Sequence, residues 1–152
     1  MLFERQLILV AFQIRIILER PKVRVNAIRT TVITQRYTKR GRKPVTLLNA
    51  VALEEHFDLT NPVVVQMPIR DVCNQLVHHY VMFAIRGERA QFETVCVCSD
   101  YKRNVCLYEF AVSDLLRAFA VFGDEASALS SAPGVRFTWD AKRGDYRVEE
   151  LP

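Results

Sequence analysis

Val23-Arg-Val-Asn-Ala-Ile-Arg-Thr-Thr-Val-Ile-Thr-Gln-Arg-Tyr37 decides the fold, and it reads two ways. Val23, Val25, Ile28, Val32 and Ile33 allow one apolar helix face, yet Val, Ile and Thr are strand formers. Its length is generous for a strand and favours the helix. Upstream, residues 3–19 read as a helix with apolar residues on nearly every side, the pattern of a central core helix or of an oligomer contact. Pro21 then ends that helix or opens the next. Downstream, Lys39-Arg-Gly-Arg-Lys-Pro44 is a loop by its Gly, Pro and like charges.

Working outward from there, Thr46 is placed to cap a short helix ending near Phe57, with Leu47, Leu48, Val51 and Ala52 inward. Asp58 to Met67 reads as a connector, and Pro68 as the first turn of a helix from Ile69 to about Tyr80. After Gly87 the period changes. Phe92–Cys98 and Val105–Phe110 read as a hairpin, followed by a helix from Ser113 or Asp114 to Phe122. Gly123 ends that helix, Asp124–Gly134 is a surface loop, and Val135–Trp139 with Tyr146–Val148 form a last hairpin. The expected architecture is therefore a single α+β domain over 1–152. Its N-terminal half (1–86) is helical, with about four helices, and its strand-rich part spans 90–152.

The composition is that of one ordinary globular domain: 152 residues, 50% hydrophobic and 25% charged. The longest apolar stretch, Leu7 to Leu18, is broken by Gln13 and Arg15, so no membrane span is expected, and Glu4 before it with Glu-Arg-Pro-Lys after it argues against a signal peptide. A cytoplasmic protein is expected, with Cys73, Cys96, Cys98 and Cys106 as buried thiols. The net charge of +4 is unevenly spread. Residues 20–52 hold nine basic side chains and no acidic one, whereas residues 53–152 hold ten basic and fifteen acidic. A basic segment on a mildly acidic body suits an anionic partner, either RNA or an acidic protein. Arg36, Lys39, Arg40, Arg42 and Lys43, with Tyr37 for stacking, are the candidate nucleic-acid contacts. The competing reading pairs these charges with the acidic remainder of this chain or of a second copy.

The segment 69–80 carries the chemistry. Ile69, Val72, Cys73, Leu76, Val77 and Tyr80 fall on one apolar stripe, and Arg70, Asn74 and His78 recur one turn apart on the polar side. A guanidinium, an amide and an imidazole in a row can hold a phosphate and move a proton. They can equally be a solvated face. Asn74-Gln-Leu-Val-His78 resembles the second half of the Arg-Asn-x-x-x-His motif of HEPN domains, helical bundles that include dimeric, metal-independent ribonucleases. The resemblance implies phosphate chemistry at Asn74 and His78. Cys73 stands where the motif has Arg, and Arg70 lies too far along the chain to replace it in register. The helix-then-hairpin order is equally similar to small uncharacterised bacterial proteins, which implies no activity.

Other clusters point nowhere specific. Cys96-Val-Cys98 and Cys106 share one face if the hairpin pairs residues summing to 204, but Cys-x-Cys is not a usual zinc knuckle, so no metal is expected. Adjacent His78 and His79 cannot chelate from a helix, and His56 is expected near a helix end, where the dipole favours a cation. No cofactor motif is present. The leading expectation is a non-catalytic interaction or regulatory module that self-associates through its N-terminal helix. The alternative is an RNA-binding or ribonuclease-like protein with a degenerate HEPN-like site at Arg70, Asn74 and His78.

Overall fold

The computed structural model describes residues 2–19, 25–89, 91–131, 135–142 and 144–150. It is α+β, but its centre is a sheet rather than a helical half. After α1 (Leu2–Leu18) and a single turn, α2 (Val25–Ile28), the ambiguous segment becomes strand β1 (Thr31–Thr38). A one-turn α3 (Leu53–His56), β2 (Val63–Pro68) and α4 (Ile69–Val77) follow, then β3 (His79–Arg86), β4 (Phe92–Ser99) and β5 (Cys106–Ala111). The chain ends with α5 (Val112–Ser131) and a hairpin of β6 (Val135–Asp140) and β7 (Asp145–Glu150). The first five strands make one antiparallel sheet in the order β2-β1-β5-β4-β3, and β6 and β7 pair separately.

The expected helix over 23–37 is thus overturned, and the reason lies in alternation. Along β1 buried and exposed residues alternate, with Val32 and Thr34 inward and Ile33 and Gln35 outward. That is a period of two, and β1 is hydrogen-bonded on both flanks, to β2 and to β5. Thr34, polar and buried, donates its hydroxyl to the Glu109 carbonyl at 2.6 Å, which satisfies it within the sheet. The Val-rich connector before Met67 is β2, an edge strand paired to β1. Pro21 and the basic residues Arg20, Lys22 and Arg24 lie outside the described residues.

The expected helix from Thr46 to Phe57 is also absent, apart from α3. Thr46 caps nothing: its N–H donates to the Asn49 side chain at 2.7 Å, and residues 47–51 are turns that leave Leu47, Leu48 and Val51 exposed. His56 stands at the end of α3 as expected, and it is fully buried there, donating Nε2–H to the Asn49 carbonyl at 3.1 Å. Gly123 does not stop α5, whose backbone continues through 124–131, where a loop was expected.

Helices α1, α4 and α5 cover one sheet face. Leu7, Ala11, Ile14 and Leu18 of α1 meet Ile69, Val72, Cys73 and Leu76 of α4, and Leu115, Phe119 and Phe122 of α5 close the layer over Val95, Val97 and Phe110. On the other face the 39–57 segment lays Val45 and Phe57 over Tyr37, Val81, Cys98 and Leu107, a second and smaller core. Leu76 is entirely buried in the main core. Leu76→Ala should cost about 2–5 kcal/mol of stability, while His78→Ala, two residues on and exposed at the C-cap, should stay within about 0.5 kcal/mol. Urea unfolding of the two variants checks the assignment of helix faces.

Candidate functional site

The site is built at one end of the main sheet. β1 and β4 finish there, β3 and β5 begin there, and α4 passes directly into β3 through His78. Helix α4 stops because His78 leaves helical geometry (φ −102°, ψ 27°) so that His79 can enter the ladder, and the Asp100 N–H then donates to the His78 carbonyl at 3.0 Å. This handover leaves the last turn of α4 beside the last turn of α1. Arg15 of α1 places Nη1 2.8 Å from His78 Nε2. A guanidinium has only donors, so Nε2 is the acceptor in this contact.

Around that pair lies a cleft of about 330 Å³, lined by Arg15, Asn74, Gln75 and His78 and, from the β4–β5 turn, by Ser99, Tyr101 and Lys102. Its floor consists of two buried polar residues, Gln75 and Ser99, only 8% and 3% exposed. Gln75 Oε1 accepts the Ser99 backbone N–H at 3.1 Å. The Gln75 amide nitrogen and the Ser99 hydroxyl have no hydrogen-bond partner among the described residues, and neither is sealed from the cleft. The walls add the Asn74 amide, the Arg15 guanidinium and the Lys102 ammonium, and Tyr101 stands at the rim, 84% exposed. The cleft is rich in donors and cations and lined by no carboxylate. Its natural occupant is an anion with several acceptor oxygens.

Asn74 and His78 therefore share a cleft, but Arg70 does not join them. Its guanidinium donates to the Leu18 carbonyl at 3.3 Å, satisfying the C-terminus of α1. The arginine of the site is Arg15, 63 positions from His78 in sequence. Periodicity within one helix could not reveal it, nor Lys102 and Ser99 of the turn.

The candidate nucleic-acid residues are dispersed. Arg36 lies on the helix-covered face, with Nε buried. Lys39 turns back to the carbonyls of Arg40 and Lys43, at 3.0 and 2.8 Å, and Lys43 pairs with Glu55 at 2.9 Å. Arg40 and Arg42 remain exposed. This loop is tied to the β4–β5 turn: the Val45 N–H donates to Asn104 Oδ1 at 2.9 Å, and the Lys39 N–H to the Val105 carbonyl at 2.9 Å. Cleft and basic loop thus flank the same turn.

Comparison with protein-family models, curated proteins and solved structures finds no match.

The cysteines do not form a cluster. The β4–β5 register pairs residues summing to 205, as in Cys96↔Glu109, not 204. Cys106 therefore shares the helix-covered face with Tyr108, while Cys96 and Cys98 lie in the smaller core. No group of three metal-ligating side chains forms among the described residues. Burial pushes the thiols of Cys73, Cys96 and Cys98 up to about 12. Burial also raises Tyr37, aided by its hydrogen bond to the Glu109 carboxylate, and raises Tyr108 to about 12. Each of these acids holds its proton more tightly when folded. The stability they contribute is complete below the unfolded values, about 8.5 for thiols and about 10 for phenols, and is lost as pH rises beyond them. The urea midpoint should fall steadily between pH 8 and pH 10.5, and a thiol-specific chromogenic reagent should label the native protein slowly and all four cysteines in denaturant. A flat pH profile, or rapid native labelling of Cys73, Cys96 or Cys98, contradicts this burial.

Proposed function

We propose that this protein is a non-catalytic binding module for single-stranded RNA, with the Arg15–His78 cleft as its phosphate subsite. The observation that supports this reading most is the convergence, in one cleft, of Arg15, Lys102 and three side chains with free donors, without a carboxylate in the lining. Phosphate contacts supply most of the affinity of proteins for nucleic acid, and an exposed aromatic such as Tyr101 adds a stacking platform. Exposed Arg40 and Arg42, across the β4–β5 turn, extend the positive track.

Ribonuclease activity with a degenerate HEPN-like site is the second reading, favoured by the placement of Asn74 and His78 in the cleft. Binding without cleavage is preferred because Arg15 occupies the Nε2 lone pair that a general base needs, and no second imidazole lines the cleft to serve as the acid. The sheet-centred fold also differs from a helical bundle. Four free, buried thiols suit a reducing, cytoplasmic setting. No helix among the described residues is long and apolar enough to cross a membrane.

Self-association is proposed through the outer stripe of α1, where Leu9, Phe12 and Ile16 are about half exposed on the side away from the core. Light scattering at tens of micromolar, where typical specific interfaces are saturated, should give a dimer that Phe12→Asp converts to a monomer. A monomeric wild type ends that part of the proposal.

RNA binding should weaken steeply between low and physiological salt, as counterion release requires. The combined change Arg40→Ala, Arg42→Ala and Lys102→Ala should flatten the slope of affinity against salt and reduce affinity at every salt concentration. Undetectable binding of the wild type at low salt rejects the RNA reading. Cleavage of RNA by the wild type that disappears in His78→Ala favours the ribonuclease.

A further inference from the structure

The cleft differs from the rest of the basic surface in having a floor. Gln75 and Ser99 close its bottom while keeping a free amide N–H and a free hydroxyl turned to it. Both donors reach the cleft surface without a protein partner, so an acceptor that enters the cleft can take them. A phosphodiester inside a chain offers two unbridged oxygens and one negative charge, and its strand must both enter and leave. A phosphomonoester offers three free oxygens, carries a charge of roughly −1.5 to −2 at neutral pH, and needs a single connection outward. Arg15, which also pairs with Glu19 at 3.7 Å, and Lys102 bring positive charge to the cleft, and the donors of Asn74, Gln75 and Ser99 match three oxygens better than two.

We infer that the cleft reads the phosphorylated end of a single-stranded RNA, a terminal phosphomonoester seated on Gln75 and Ser99 between Arg15 and Lys102. This rests on the RNA-binding reading and specifies which part of the strand the site holds. The nucleotide next to the phosphate lies at the rim, where the exposed Tyr101 ring stacks on its base. The strand then leaves across the β4–β5 turn toward Arg40 and Arg42, the direction in which Asn104 ties turn and loop together. A volume of about 330 Å³ accommodates a phosphate with its sugar, not a folded duplex end.

A 5′-phosphate and a 3′-phosphate present the same chemistry, so the test carries both. RNAs of about ten nucleotides, identical in sequence, are prepared with a 5′-phosphate, a 3′-phosphate, or hydroxyls at both ends, and binding to the full chain is followed by fluorescence anisotropy. One phosphorylated form should bind at least about tenfold more tightly than the hydroxyl form, since charge-assisted hydrogen bonds to the phosphate are lost without it. Lys102→Ala, a change at an exposed residue, should remove this preference by weakening the phosphorylated RNA far more than the hydroxyl-ended RNA. Arg40→Ala with Arg42→Ala should weaken all three RNAs alike and keep the preference. Millimolar inorganic phosphate should compete for the preference and not for the residual binding. Equal affinity for the three RNAs overturns the inference and leaves the RNA-binding reading standing, as does a preference that survives Lys102→Ala. Failure to bind any of them overturns both. A phosphotyrosine peptide bound more tightly than the phosphorylated RNAs overturns the inference in favour of a protein partner.

Discussion

Everything in this molecule hangs on β1 being hydrogen-bonded along both edges. A strand so placed has to satisfy its backbone on two sides at once, and its side chains must divide strictly between two faces. Val32 and Thr34 go to the helix-covered core, and Tyr37 goes to the core beneath the 39–57 segment. Because β5 joins β1 antiparallel, and β4 and β3 follow in the same sense, one end of the sheet gathers the close of β1 and β4 with the start of β3 and β5. The cleft and the basic loop are neighbours as a result of this topology, although residues from four separate parts of the chain build them.

How much of this was legible beforehand varies with the range of the interaction responsible. Helix α4 announced itself, because Ile69, Val72, Cys73 and Leu76 repeat at helical spacing and are all fully buried in the structure. The two later hairpins were also visible from alternation and turn residues, though the register of the first was one residue off. That slip matters in a strand, since it moves each side chain to the opposite face, and it separated Cys106 from Cys96 and Cys98. The segment around β1 misled because an apolar pattern containing both Ile28 and Val32–Ile33 fits either period. Pairing with β2 and β5, remote in sequence, selects the strand, a tertiary choice that local propensity does not contain. The helix expected over 47–57 failed for a related reason. Leu47, Leu48 and Val51 looked like an inward face, whereas the segment is held by Val45, Phe57 and the hydrogen bonds of Asn49 and Asn104.

The candidate site shows the same division. Asn74 and His78 are a turn apart and their proximity followed from one helix. Helical spacing offers Arg70 as the third partner, but that side chain is occupied with the open carbonyl of Leu18. The guanidinium that meets His78 arrives from α1, and the floor arrives from β4. A composite cleft of this kind has no contiguous signature.

The distance between Arg15 and His78 along the chain has a thermodynamic corollary. The cleft exists only while α1 is docked on α4, so a ligand held there binds the native state and has no site on the unfolded chain. By mass action such a ligand raises the free energy of unfolding in proportion to the logarithm of its concentration over its dissociation constant. The contact between α1 and α4 would then be tighter in the occupied protein. Undocking of the N-terminal helix would dismantle the cleft, so an occupant opposes that undocking as well as global unfolding.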